Sequence, residues 1–300
     1  MSAPLDVPAP KVAKLPMGDM QYAICGEGKP VLIIHGGGGG YDQGIFFFKR
    51  YVPEGYQIIC PSRPGYLGTP LSTGKTSEEQ ADALAALLDY LKIPSAVVVS
   101  ISAGGLYLYP FAIRHPQKTK AIIAIDSIAG EYVMPEQSGK FAQALYMSRL
   151  GLWMVKKTMY YFPSSIIQNI VKLEGYLDQA QINARVKDIE NSQESLEIMS
   201  DLMSTMTDFK GRMTGSMNDV ELGPKTTWFE FSKITCPALV IHGTHDADVK
   251  FYNGVFAYEG LASKENDHFW IEYGTHFGFF FAPSAPKAQQ KFREFILKHG

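Results

Sequence analysis

The chain has 300 residues, 46% hydrophobic and 19% charged, with 28 Lys and Arg set against 30 Asp and Glu for a net charge of −2. That length can bury a sizeable core, as one large domain or as a core carrying an insertion. The near balance of charge, without a basic stripe, argues against a nucleic-acid-binding face, and no basic amphipathic stretch offers a stable membrane anchor.

Residues 1–18 read as a flexible N-terminal tail: four prolines fall between Pro4 and Pro16, and no apolar run suggests a signal peptide. Met20 to Cys25 reads as a strand, and the continuous apolar run Pro30 to Ile34 as a strand buried on both faces. That run ends in His35 and five glycines, Gly36 to Gly40. A dinucleotide fingerprint fails there, because Tyr41 stands where Gly36-x-Gly38 would need its third glycine. The loop is instead suited to turning backbone N–H groups towards an anion. Ile45 to Tyr51 is a short aromatic helix, and Gln57 to Cys60 a strand that runs into Ser62-Arg63-Pro64-Gly65-Tyr66. Gly74-Lys75-Thr76 does not complete a phosphate-binding loop, since the glycine needed five places earlier is Thr69. Thr76 with Glu79, and Ser77 with Gln80, are both possible capping boxes for the helix that carries Leu84, Leu87, Leu88 and Leu91.

Val97 to Gly105 then reads as a buried strand, a tight turn at Ser102, and the start of a helix over Leu106 to His115 that Pro110 should kink. The small residues Ser100 and Gly104 allow the close backbone approach that such a turn requires. Ala96 to Ile113 is an 18-residue uncharged stretch that could pass for a membrane span, but its serines, Gly-Gly pair and proline fit a buried strand and helix better. Ala121 to Ile125 is the next strand, with Asp126 at its end. The alternation so far implies a parallel sheet with right-handed crossovers.

From Ala129 to about Phe231 no strand-like run occurs. Helices are expected at Phe141 to Tyr161, Ile166 to Leu173, Asp178 to Ile189 and Glu194 to Met206, giving a helical cap or lid over 130–231 inserted into a core of 19–129 and 232–300. Its methionines could line an adaptable apolar pocket. The sheet resumes at Pro237 to Ile241, followed by His242-Gly243-Thr244-His245-Asp246. A helix within Val249 to Leu261, a strand at Phe269 to Tyr273, Gly274-Thr275-His276 and a helix over Ala288 to His299 complete the chain.

Ser102, Asp246 and His276 each fall just past the C-terminal end of an expected parallel strand, the edge where open α/β sheets bind ligands. The residue types suit acyl transfer. A serine hydroxyl needs a histidine to take its proton, and the histidine needs a carboxylate to hold its tautomer. Asp126 and Asp248 are rival acids. Backbone N–H groups of the residue after Ser102 and of the glycine loop would receive the developing oxyanion, where one lost donor costs about 3 kcal/mol.

His35-Gly36-Gly37, Ser62-Arg63-Pro64-Gly65-Tyr66, Ser100-x-Ser102-x-Gly104, His242-Gly243-x-x-Asp246 and Gly274-x-His276, in this order, resemble the α/β-hydrolase superfamily from about Gln21 to Leu297, and most of all its capped single-domain serine hydrolases. The resemblance implies a mostly parallel, doubly wound sheet, Ser102 as nucleophile, His276 as base and Asp246 as its acid. It places the oxyanion hole at the N–H groups of Ala103 and Gly37, with Gly38 as the alternative donor. Ser100 departs from the usual glycine. The implied activity is cofactor-independent hydrolysis of an apolar, small to medium ester. A carbon–carbon bond hydrolase, a lactonase, and a ligand-binding receptor on the same fold are alternatives. Ser102 excludes a haloalkane dehalogenase, which needs aspartate there. The Pro-Gly-Ala that tends to follow the glycine loop of carbon–carbon hydrolases is missing, as is the loop proline of proline iminopeptidases. The three scattered cysteines, Cys25, Cys60 and Cys236, suit reduced thiols and a cytoplasmic location. No His, Asp or Glu cluster shows metal-ligand spacing along the chain, so neither metal nor other cofactor is expected, and the partner is a small-molecule substrate.

Overall fold

The computed structural model describes residues 6–133, 163–206 and 209–300. Eight strands form one sheet in the order β1-β2-β4-β3-β5-β6-β7-β8. They are β1 Lys11–Leu15, β2 Gly18–Gly26, β3 Lys29–Ile34, β4 Tyr56–Pro61, β5 Ala96–Ile101, β6 Thr119–Ile125, β7 Ala238–Gly243 and β8 Asn266–Ile271. From β4 to β8 every neighbouring pair is parallel, while β1 with β2 and β2 with β4 are antiparallel. The fold is thus the mostly parallel α/β sheet that the strand–helix alternation implies.

The central strands are apolar without interruption because both faces are covered. Alternate residues divide between two cores, as the two-residue strand period requires. Val31, Ile33, Val97, Val99, Ile123 and Ile125 enter one core, which also holds helix α1 (Tyr41–Phe48) and the last helix of the chain, through Phe48 and Phe292. Leu32, Ile34, Val98, Ile122 and Ala124 enter the other, with Leu84 and Leu88 of α2 (Ser77–Tyr90) and Leu106 and Phe111 of α3 (Gly105–Arg114). The capping box of α2 is the Thr76–Glu79 pair: Thr76 Oγ1 accepts the Glu79 N–H at 3.2 Å and the Glu79 carboxylate accepts the Thr76 N–H at 3.0 Å. Gln80 is buried instead, its side-chain amide without a partner among the described residues. Helix α3 continues four residues past Pro110.

Two expectations are corrected. The tail reading of 1–18 fails over 11–15, where Lys11–Leu15 is an edge strand paired with β2 through a two-residue turn at Pro16 and Met17. Ala13 and Leu15 of that strand point into the core while Val12 and Lys14, on the other face, are exposed, and the prolines flank the strand rather than interrupt it. Between β6 and β7 the described elements are helical, as expected, but one helix was unforeseen. After α4 (Pro163–Leu173), α5 (Gln179–Glu190) and α6 (Gln193–Met206) comes α7, Met213–Leu222, whose glycine, serine and asparagine give it a weak apolar period. The helix expected at Phe141 to Tyr161 lies outside the described residues. Beyond β7 follow α8 (Tyr252–Gly260), the single turn α9 (Gly278–Phe281) and α10 (Ala285–His299). Among the described residues no helix is long and apolar enough to cross a membrane. The uncharged stretch Ala96 to Ile113 is spent on β5 and most of α3.

Candidate active site

Strand β5 delivers Ser102 into a short 3-10 turn, Ser102–Gly104, that opens α3. Ser102 has φ +56°, the left-handed region that L-residues rarely occupy and that costs of order 1–3 kcal/mol. The turn closes tightly. A Cβ on Gly104 would stand 2.5 Å from the Ile34 carbonyl oxygen, and one on Gly36 2.9 Å from the Ser102 Cβ. Ser100, where related motifs carry glycine, is buried, and its hydroxyl shares a 2.8 Å hydrogen bond with that of Ser127. A serine is therefore tolerated because it finds a partner.

The loops after β5, β7 and β8 converge. His276 Nε2 lies 2.9 Å from Ser102 Oγ, and Nδ1 lies 2.8 Å from Asp246 Oδ2. The neutral ring that fits both contacts donates from Nδ1–H to the carboxylate and accepts the serine O–H at Nε2. Asp246 is buried, and its other oxygen accepts the N–H groups of Asp248 at 2.8 Å and Val249 at 2.9 Å, which fixes the carboxylate plane. The rival Asp126 is committed elsewhere: its Oδ1 accepts the Gly243 N–H at 2.7 Å and ties β6 to β7. Burial first, then the charge of Asp246, raises its carboxyl well above the usual range. Asp248 approaches the other side of the imidazole, Oδ2 standing 3.4 Å from Nε2, and its second oxygen accepts the Tyr132 hydroxyl. Burial opposes charge on His276, but Asp246, Asp248, the Asp246 hydrogen bond and Glu174 outweigh it and raise the imidazole well above its ordinary value.

Glu174, at the C-terminal end of α4, was not foreseen. Its main-chain carbonyl accepts both the Ala247 N–H at 3.2 Å and the His276 N–H at 3.0 Å, and the Tyr176 N–H reaches the His245 carbonyl at 2.9 Å. The insertion is stitched in this way to the loops that carry Asp246 and His276. The side chain lines the cavity beside His276, and one carboxylate oxygen is buried without a partner among the described residues. Burial pushes this carboxyl up to about 8; His276 pulls against that, and Asp248 and Asp246 add to it. Between the two anchors sits Gly175, where a Cβ would stand 2.1 Å from Thr275 Cγ2 and 2.8 Å from Thr275 Cβ. Gly175→Ala is expected to push Thr275 aside, with His276 following. Overpacking of this kind costs about 1–3 kcal/mol, and a 1 Å misplacement of a catalytic group costs about 10²-fold in rate. The rate of fluorophosphonate labelling of Ser102 set beside thermal melting checks it, the expected result being a larger loss in labelling than in stability.

The glycine loop is held by its own histidine. The buried His35 accepts the Arg63 N–H at Nε2, 3.0 Å, and donates from Nδ1 to the Gly36 carbonyl at 2.8 Å. Burial, with Arg63 adding, holds its pKa well below the usual value, so the ring is neutral. Gly37 and Ala103 stand side by side at the cavity floor, 3.8 Å from an ideal Cβ on Gly37 to that of Ala103. Ala103 lies in the first turn of its helix, where N–H groups have no intrahelical partner.

The cavity above Ser102 measures about 370 Å³. Its apolar walls include Phe47, Ile128, Leu202 and Phe277. Of the seven phenylalanines near the glycine loop and the base, only Phe47 and Phe277 line it; Phe46, Phe48, Phe279, Phe280 and Phe281 are core. No Lys or Arg is among the described lining residues, whereas Glu174, Asp219 and Asp248 are. Two acidic clusters with ligand atoms within 4.8 Å of one another do form, Asp126 with His242 and Asp246, and Glu174 with Asp248 and His276. Linear spacing could not reveal them, because each gathers residues from separate segments. His242 has a backbone partner, its Nε2 lying 2.8 Å from the Val249 carbonyl.

Residues 29–283 match the model of the alpha/beta hydrolase fold family. An alpha/beta hydrolase fold protein from Nakamurella multipartita superposes with a TM-score of 0.89 at 29% identity, over 97% of this chain and 100% of that one. An uncharacterized hydrolase, YcgS, of Bacillus subtilis (strain 168) is 26% identical over 81% of this chain and 84% of its own. A 2-hydroxy-6-oxononadienedioate/2-hydroxy-6-oxononatrienedioate hydrolase of Dechloromonas aromatica (strain RCB) is 27% identical over 85% of each chain. With the family match spanning β3 to β8, six of the eight strands, and the loops at their C-terminal edge, the chain belongs to the alpha/beta hydrolase fold family.

Proposed function

We propose that the protein is a serine hydrolase of uncharged, mostly apolar carboxylic esters, acting through Ser102, His276 and Asp246. The observation that carries this reading is the unbroken hydrogen-bonded chain from Asp246 through His276 to a strained Ser102 at the floor of an apolar cavity. Ser102 Oγ attacks the ester carbonyl carbon while its proton passes to His276 Nε2. The carbonyl oxygen becomes an oxyanion facing the N–H groups of Gly37 and Ala103. Collapse breaks the bond to the alcohol oxygen, which takes the proton from Nε2. A water then gives a proton to Nε2, attacks the acyl carbon and releases the acid, restoring the Ser102 hydroxyl.

A second reading, carbon–carbon bond hydrolysis, is favoured by the dioate hydrolase relative. Against it, a dioate carries two carboxylates, and no Lys or Arg is among the described lining residues to receive them. Labelling with a fluorophosphonate, located by mass spectrometry, together with turnover of 4-nitrophenyl esters of increasing acyl length, tests the proposal. An adduct on Ser102 and ester turnover are expected. Folded protein that takes no adduct and turns over no ester would leave ligand binding as the role of the cavity.

The pH profile follows from His276. Only the neutral imidazole can accept the serine proton, so kcat/KM falls as pH drops through its raised pKa, and the acid limb should sit above the ordinary histidine value near 6.5. The imidazolium that is inactive in catalysis stabilises the fold. That contribution is full below the unfolded pKa and is lost as pH rises through the folded one, so activity and this part of the stability move in opposite directions. Asp248→Asn removes one of the charges that raise His276 and is expected to move the acid limb of kcat/KM to lower pH. A limb that does not move would show that Asp248 does not act on the base.

A further inference from the structure

Two arginines hold the carbonyl side of the glycine loop, and each is paired across the boundary between sheet domain and insertion. Arg63, fully buried in the sheet domain, donates Nε–H to the His35 carbonyl at 2.9 Å and an NH2 hydrogen to the Gly36 carbonyl at 3.1 Å. The rest of its fork grips Asp219 of α7, NH1 to Oδ1 at 2.9 Å and NH2 to Oδ2 at 2.7 Å. Asp219 also accepts the hydroxyls of Tyr66 and Tyr107, and the guanidinium lies 4.7 and 4.4 Å from the centroids of those two rings. The second pair crosses the other way. Arg212, just ahead of α7, donates to the Gly39 carbonyl at 2.6 Å and to both oxygens of Asp42 in α1 at 3.1 and 2.7 Å.

The consequence lies in one peptide unit. The Gly36 carbonyl and the Gly37 N–H belong to the same planar trans peptide and face opposite ways. That carbonyl also accepts His35 Nδ1–H at 2.8 Å, so Arg63 and His35 together fix the direction of the N–H on the far side, where the loop meets Ser102. A bidentate fork on a carboxylate resists rotation, unlike a single hydrogen bond. Arg63 in turn is oriented by Asp219, its carboxylate partner.

We propose that Asp219, a residue of the insertion with no hydrogen bond to the triad, is a positioning residue for the oxyanion-binding N–H of Gly37, acting through Arg63 and the Gly36–Gly37 peptide. This rests on the serine-hydrolase reading. It assigns to the Ser62-Arg63-Pro64-Gly65 motif a task the triad leaves open. It also makes oxyanion stabilisation dependent on α7 being seated.

The test compares wild type, Asp219→Asn and the milder Tyr107→Phe, with 4-nitrophenyl butyrate as substrate and butylboronic acid as a mimic of the tetrahedral state. For Asp219→Asn, kcat should fall about 10- to 100-fold with KM within twofold. Boronic acid affinity should weaken by the same factor, and the acid limb of the pH profile should stay in place. Tyr107→Phe should lose kcat in the same pattern but less. Wild-type kcat and boronic acid affinity in folded Asp219→Asn, or a rise in KM alone, would overturn the proposal. Amide hydrogen exchange over residues 35–40 gives a readout that needs no turnover. It should quicken in Asp219→Asn while the segment around His276 is unchanged, and unchanged exchange at the loop would equally refute the idea. A wild type that neither turns over ester nor takes a fluorophosphonate would count against the hydrolase reading, with the exchange result still deciding the role of Asp219 in the loop.

Discussion

Ser102→Ala is expected to lower kcat/KM for a 4-nitrophenyl ester by roughly 10³- to 10⁶-fold and to abolish fluorophosphonate labelling, with thermal stability unchanged or slightly raised. The size of the effect reflects a group that acts as a unit with its base. With the hydroxyl gone, His276 Nε2 has lost the oxygen now 2.9 Å away, and what catalysis remains comes from binding and the oxyanion donors. Stability should hold because the side chain is small. The left-handed backbone at φ +56° stays strained for alanine too, so no large gain is expected. His276→Ala should cost a comparable factor. If instead Ser102→Ala retained more than about a tenth of the activity, a different nucleophile would be at work.

The largest loss of stability is expected from Arg63→Ala. Arg63 and Asp219 are both buried, so removing the guanidinium strands a carboxylate away from water and leaves the His35 and Gly36 carbonyls without that donor. Breaking a buried pair on one side costs about 3–5 kcal/mol, which for a chain of this size lowers Tm by roughly 10 °C. The double variant Arg63→Met/Asp219→Leu should recover only part of that loss: no charge is left unpaired, but the Tyr66 and Tyr107 hydroxyls lose their acceptor. Its turnover should not recover with it, since the Gly36–Gly37 peptide still lacks its guanidinium. Calorimetric melting of the single and double variants, read beside kcat, separates the two effects. A single variant that melts like wild type would mean that water reaches Asp219.

What could be read in the sequence was what is local. The elbow at Ser102 announces itself within six residues, because a buried strand, small neighbours and a helix must all lie together for the turn to close. The same holds for Gly36-Gly37 and for Asp246, each just past an apolar strand, while His276 follows the half-polar β8 after a short turn. The phenylalanines were harder. Period and composition cannot say which of seven adjacent rings reaches the cavity; Phe47, itself a core residue, and Phe277 do so, in ring contact with each other, while Phe48 and Phe279 pack on Phe292. Helices α4, α5 and α6 of the insertion were legible from their apolar period, but the residues it contributes to the site were not. Asp219 meets Arg63 across 156 positions of chain, and Arg212 meets Asp42 across 170. No local pattern marks either partner, and α7 has too weak an apolar period to be seen. Lys11–Leu15 was missed for another reason: an edge strand of five residues buries only two side chains, so its flanking prolines dominate the reading.

The stitching of Glu174 to the loops of Asp246 and His276 is done by its carbonyl oxygen, not by its carboxylate. The two duties of the position are thus separable, one carried by backbone that every amino acid possesses, the other by a side chain that faces the cavity. Substitution there can rewrite the chemistry offered to a substrate without undoing the scaffold that presents it. At position 174 the character of the cavity wall and the anchoring of the loops that bear Asp246 and His276 thus rest on different atoms of one residue.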